Sequence, residues 1–107
     1  MIEIILYKRE ASNVGFCVSG HAGFEEIGKD IVCASVSVLA INTVNAIKSF
    51  TDDRFSLQYD ENGKINMMKK ATLSPKSQVL LDAFELGVTS IYEEYGHDYI
   101  NIKFEEV

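Results

Sequence analysis

His21 and Cys33 stand twelve positions apart in the stretch "GHAGFEEIGKDIVCASVS", and together they have the makings of thiol chemistry. A thiol attacks a carbonyl as its thiolate, and at neutral pH only a few per cent of an unperturbed cysteine is ionised. A helix N-terminus or a neighbouring histidine brings the pKa into a range of roughly 3.5 to 7.5. A drop of about two units favours the charged form by about 2.7 kcal/mol. Asp30 precedes a long apolar run and reads as the N-cap of a helix beginning at Ile31, with its carboxylate accepting from amides two and three residues on. Cys33 then falls in the first turn, where unpaired amides and the helix dipole favour an anion and can also serve as oxyanion donors. His21 ends a strand before this helix and can fold back as proton acceptor and ion-pair partner. In that arrangement Asp30 caps the helix and fixes Cys33 rather than acting as a base.

Between the two lies a glycine-bearing segment. Gly20, Gly23 and Gly28 open torsions closed to other residues, so the segment reads as a loop that can close on or clamp a bound chain. Phe24, Glu25 and Glu26 are its substrate-facing candidates, the glutamates suiting a basic peptide. Ser37, four residues after Cys33, shares its helix face and can touch the thiol or a substrate. Plainer readings stand beside these: a cysteine in an apolar helix is often a small buried hydrophobe, and that reading is kept for Cys17. His97, in "EEYGHDY", reads as a turn residue. A zinc site from Cys17, His21, Cys33 and His97 lacks paired-ligand spacing, so neither metal nor cofactor is expected.

The elements that must hold these residues follow from periodicity. Met1–Arg9 alternates as a strand, Ala11 to Asn13 forms a polar turn, and Val14–Ser19 is a second strand. Ile31–Phe50 is a helix with apolar residues on nearly every side, which predicts burial on several sides. Phe55, Leu57 and Tyr59 share one face of a third strand, and Ile65 and Met67 one face of a fourth. A three-residue loop Glu61–Gly63, with Gly63 left-handed, pairs Tyr59 with Ile65 and Leu57 with Met67. Ser74 caps and Pro75 opens a second helix running to Tyr95, and Tyr99–Phe104 closes the chain as a strand. The order ββαββαβ predicts one α+β domain over residues 1–107, a largely antiparallel sheet covered by two helices.

Composition narrows the function classes. The chain has 107 residues, 47% of them hydrophobic, and a net charge of −6. Lys8–Arg9 and Lys69–Lys70 are its only adjacent basic pairs, too few to track a phosphate backbone, so no direct nucleic-acid contact is expected. No run of eighteen apolar residues and no secretory signal is seen, which predicts a cytoplasmic protein without a membrane span. Two cysteines under those conditions do not suggest a disulfide framework.

The stretch quoted above resembles the signature of the ribosomal-processing cysteine protease family, Prp: a Gly-His pair, a short glycine-containing loop, and an aspartate two residues before a Val-Cys pair. The likeness extends over nearly the whole chain, including the element order and the Asn-Gly turn. The resemblance implies a catalytic Cys33 and His21, with Gly20, Asp30 and Ser37 at the family's other recurrent positions. It also implies an endopeptidase that removes the N-terminal extension from the precursor of large-subunit ribosomal protein twenty-seven, after a hydrophobic, Phe-containing sequence. A homodimer is implied as well, and the apolar surplus of the first helix suits one. Outside the resemblance two other classes stay open, a non-catalytic ribosome-associated binding module and a dimeric acidic scaffold.

Overall fold

The computed structural model describes residues 1–20 and 27–107. Its elements run β1 (Ile2–Arg9), β2 (Ser12–Ser19), α1 (Ile27–Phe50), β3 (Phe55–Tyr59), β4 (Ile65–Lys69), α2 (Pro75–Ile91), a single π turn (Tyr92–Gly96) and β5 (Ile100–Glu106). The five strands form one sheet in the order β3-β4-β2-β1-β5. Every neighbouring pair is antiparallel except β1 and β5, which run parallel with Ile4 opposite Ile102. The α+β class and the element order agree with the sequence reading.

Alternation along the strands builds the core on the helix side of the sheet. Ile2, Ile4 and Leu6 of β1, Phe16 and Val18 of β2, and Ile65 and Met67 of β4 meet Val32, Val36, Ala40, Val44 and Ile47 of α1 and Leu81, Phe84 and Val88 of α2. Phe16 stacks on Phe84 with ring centroids 4.1 Å apart. The helices approach closely at Gly87, where an added Cβ would lie 2.8 Å from Leu39 Cδ1. Tyr7, Val14 and Cys17 form a second, smaller cluster with Ile5 and Met68 on the face of the sheet turned away from the helices.

Several local expectations hold. Tyr59 pairs with Ile65 and Leu57 with Met67, the turn closes through Asp60 and Lys64, and Gly63 has φ 84°. Ser74 Oγ accepts from the Ser77 amide and Pro75 opens α2. Asp53 Oδ2 accepts from both the amide and the hydroxyl of Ser74, tying the loop before β3 to that cap.

Other expectations are corrected. The β1–β2 connection is the two-residue pair Glu10–Ala11, both left-handed at φ 51° and 69°, so Ser12 and Asn13 already belong to β2. The helix expected to run to Tyr95 changes to π geometry at Tyr92. The first helix starts four residues early, at Ile27, which places Gly28 inside it rather than in a loop. Nor is α1 buried on several sides within one chain: Val38 is 65% exposed, and Ile31 and Ile41 are also exposed. The stretch Ile31–Phe50 is long and apolar enough to cross a membrane, with mean hydropathy 1.6. Here one face of it, from Val32 to Ile47, packs on the sheet.

Candidate active site

β2 ends at Ser19 and is followed by Gly20, whose φ of 88° suits glycine and whose added Cβ would lie only 2.4 Å from the Met1 carbonyl oxygen. That contact accounts for the glycine: the chain leaves β2 hard against the start of β1, and a side chain there would push the two strand ends apart. His21, Gly23, Phe24, Glu25 and Glu26 follow and lie outside the described residues.

Cys33 lies on α1, half-buried, with its side chain against the edge of the main core. Its position relative to the helix start differs from the expectation. Asp30 is the fourth helical residue, inside α1 rather than capping it, and Cys33 is the seventh. Lys29, four residues before Cys33, is already helical, so the amide of Cys33 falls within the i→i−4 ladder. The favourable end of the helix dipole is strongest a turn upstream, since the effect falls off within the first turn. First-turn amides as oxyanion donors pointing at Cys33 therefore do not survive as an expectation.

Around the helix axis, Leu39 faces Gly87 of α2. At about 100° per residue Cys33 and Ser37 occupy the other flank, away from α2 and toward the β3–β4 side of the sheet. Ser37, half-buried one turn beyond Cys33, shares that flank as expected. The Ser35 hydroxyl donates to the Ile31 carbonyl at 2.8 Å, a bond within its own helix.

Cys17 is 4% exposed on the opposite face of the sheet, opposite Ile5 on β1 and packed with Tyr7. Burial pushes its thiol pKa up, with the charge of Lys64 and a hydrogen bond with Tyr7 opposing. The Tyr7 hydroxyl donates to Asn66 Oδ1 at 3.0 Å, and burial, together with the Cys17 and Glu105 charges, raises its own pKa. With the sheet between them, Cys17 and Cys33 can share neither a metal ion nor a disulfide. No group of three or more metal-ligating side chains occurs among the described residues. The His97 ring packs on Tyr92 beside the π turn, 4.5 Å between centroids, as a turn residue with an aromatic neighbour.

A family model described as cysteine protease Prp matches residues 1–101. The chain belongs to the cysteine protease Prp family. The ribosomal processing cysteine protease Prp of Staphylococcus aureus is 34% identical over 82 residues, covering 76% of this chain and 77% of that one. A crystal structure of Prp from S. aureus, in complex with a covalently linked product peptide, superposes with a TM-score of 0.87 at 29% identity, over 98% of this chain and 100% of that one. A Streptococcus mutans protein of solved structure matches at 34% identity with a TM-score of 0.82, over 100% of this chain and 96% of that one. The protein is therefore a cysteine protease, a peptide hydrolase, on the Prp fold. Residue types and spacing point to thiol chemistry at Cys33 and His21 and leave binding and scaffold readings open beside it; the protease class comes from the resemblance.

Proposed function

We propose that Cys33 is the nucleophile and His21 its proton carrier, and that the enzyme removes the N-terminal extension from the precursor of large-subunit ribosomal protein twenty-seven, after a hydrophobic, Phe-containing sequence. One observation carries the assignment of the nucleophile. Of the two cysteines, Cys17 is sealed inside the sheet, whereas Cys33 is half-buried on the helix that follows the His21 segment. The S. aureus family member solved with a covalently linked product peptide supports a peptide substrate, and its relative's name supports a ribosomal one.

The chemistry is acyl transfer. The Cys33 thiolate forms a bond to the scissile carbonyl carbon, and the tetrahedral intermediate collapses by breaking the C–N bond while the His21 imidazolium gives its proton to the leaving amine. Neutral His21 then takes a proton from water as the water oxygen attacks the thioester. The thiolate leaves, and the N-terminal fragment departs as a carboxylic acid. With α1 starting at Ile27, His21 is the group on which thiolate formation depends. Asp30 and Ser37 are positioning residues on the same helix, and Gly23, Phe24, Glu25 and Glu26 are contacts to the bound peptide.

The enzyme acts in the cytoplasm, without direct contact to nucleic acid or membrane and without metal or cofactor. It works as a homodimer. Ile31, Val38 and Ile41 of α1 and Val79 and Leu86 of α2 lie exposed on the helical layer, with Leu86 at 70% and Val38 at 65%, an apolar surface that a second copy would cover. Replacing Val38 and Leu86 together by lysine is expected to convert dimer to monomer in sedimentation; an unchanged dimer would place the interface elsewhere.

Intact mass spectrometry of the precursor incubated with wild type and with Cys33→Ala tests the activity. A single new N-terminus after the Phe-containing stretch, formed by wild type alone, is the expected result. An unchanged precursor with wild type, or cleavage by Cys33→Ala, would overturn the substrate or the nucleophile respectively.

A further inference from the structure

The two edges of the sheet are built differently. β5 carries Lys103, Glu105 and Glu106, and charges of that kind discourage edge-to-edge pairing. β3, at the other edge, reads Phe-Ser-Leu-Gln-Tyr, with neither charge nor proline.

Its hydrogen-bond register shows which backbone groups are open. The Lys70 amide donates to the Arg54 carbonyl and the Asp60 amide to the Lys64 carbonyl. In an antiparallel ladder bonded and non-bonded pairs alternate, so Ser56 and Gln58 also bond toward β4. The amides and carbonyls of Phe55, Leu57 and Tyr59 consequently point to the outer edge, where no described strand pairs with them. The same three residues turn their side chains to the helix side, and Tyr59 is 56% exposed. Uncharged, unprotected edges invite an added strand.

The edge also leads to the nucleophile. A short connection joins the end of α1 to the start of β3, and Ile47 of α1 lines a common cavity with Phe55 and Leu57. Following α1 back from Ile47 therefore runs along β3 toward Tyr59, and at about 1.5 Å per residue Cys33 lies past the end of that strand. Ile65, opposite Tyr59 on one side and Val18 on the other, marks the same end of the sheet, where β2 gives way to Gly20 and His21. Cys33 faces the β3–β4 side of α1.

We propose that the substrate polypeptide binds in extended form as a sixth strand on the open edge of β3, bonding to Phe55, Leu57 and Tyr59, and continues past Tyr59 to place its scissile bond at Cys33. This rests on the proteolytic reading above and adds where and in what conformation the substrate docks. Main-chain pairing supplies the grip, and the side chains beside the scissile bond supply selectivity.

The test uses a peptide spanning the extension junction of the precursor, with single N-methyl groups placed at successive residues, alongside the variants Tyr59→Pro and Tyr59→Ala. Proline at position 59 deletes an outward amide without breaking a β4 bond, a placement that edge strands tolerate. Relative to Tyr59→Ala, Tyr59→Pro is expected to lower kcat/KM about five-fold, and N-methylation to impair cleavage at every second residue. In Cys33→Ala, amide hydrogen exchange at Phe55, Leu57 and Tyr59 slows when the unmodified peptide is added. Cleavage of the unmodified peptide by wild type with no alternation, equal proline and alanine variants and unchanged exchange would overturn the edge site while leaving the protease reading intact. Failure of wild type to cleave the unmodified peptide would instead remove the substrate reading and the edge proposal with it.

Discussion

Cys17 and Cys33 are the same residue placed in opposite surroundings by one sheet. Cys17 points away from the helices, covered by Tyr7 and flanked by Ile5, and burial raises its pKa. Cys33 sits on the helix side, half-buried on α1, on the flank turned away from α2. Burial holds the Cys17 thiol in its neutral form, which suits packing, whereas the Cys33 thiol keeps part of its surface exposed. The side of the sheet that a cysteine takes decides which of these surroundings it meets.

The largest effect that can break this contrast is at Cys33, the proposed nucleophile. Cys33→Ala is expected to lower turnover of the precursor at least about a thousand-fold while changing stability by under about 1 kcal/mol, measured by cleavage assay and urea denaturation. Cys17→Ser is expected to do the reverse. Burying a hydroxyl in the Tyr7 cluster should cost about 1–3 kcal/mol, with turnover within two-fold of wild type. Loss of activity in a folded Cys17→Ser protein would mean the two cysteines had been ranked wrongly.

Tyr7→Phe sharpens the same side of the comparison. It deletes the hydroxyl that bonds to Asn66 Oδ1, and the expected cost is about 0.5–1.5 kcal/mol in urea denaturation. The smallest effect is in pH dependence. The native state holds protons on Cys17 and Tyr7 that the unfolded chain releases, since both pKa values are raised. Their contribution is full below the ordinary thiol value of about 8.5 and is lost as pH rises through the folded values. Urea midpoints should therefore fall on the alkaline side, and less so in Tyr7→Phe. At acid pH the sign is opposite for Glu85. Burial works against its charge, but hydrogen bonds from Lys8 and Asn13 prevail and lower its pKa, so its contribution is lost as pH drops below the usual carboxylate range.

What could be read from the sequence was local. The three-residue turn with Gly63 left-handed, the β3–β4 register that sets Leu57 opposite Met67 and the Ser74–Pro75 helix start all follow from neighbours in the chain. The parallel pairing of β1 with β5 could not be read this way, because alternation states which face a residue takes and not which strand lies beside it. The Glu10–Ala11 turn carries no glycine or asparagine to announce two left-handed residues. An aspartate before an apolar run has the composition of a cap, yet Asp30 lies inside α1, because Ile27, Gly28 and Lys29, whose composition is that of a loop, are already helical. Of the two residue types that suggest thiol chemistry, His21 lies outside the described residues, and for Cys33 the sheet adds what spacing lacks, namely its separation from Cys17.

The most direct measurement of that separation is iodoacetamide labelling of the folded protein at neutral pH, followed in time by peptide mass mapping and by residual cleavage of the precursor. Carbamidomethylation of Cys33 alone, in step with loss of activity, with Cys17 unlabelled until urea unfolds the chain, is the expected result. Labelling of Cys17 as fast as Cys33, or full activity after Cys33 has been labelled, would contradict the assignment of the nucleophile.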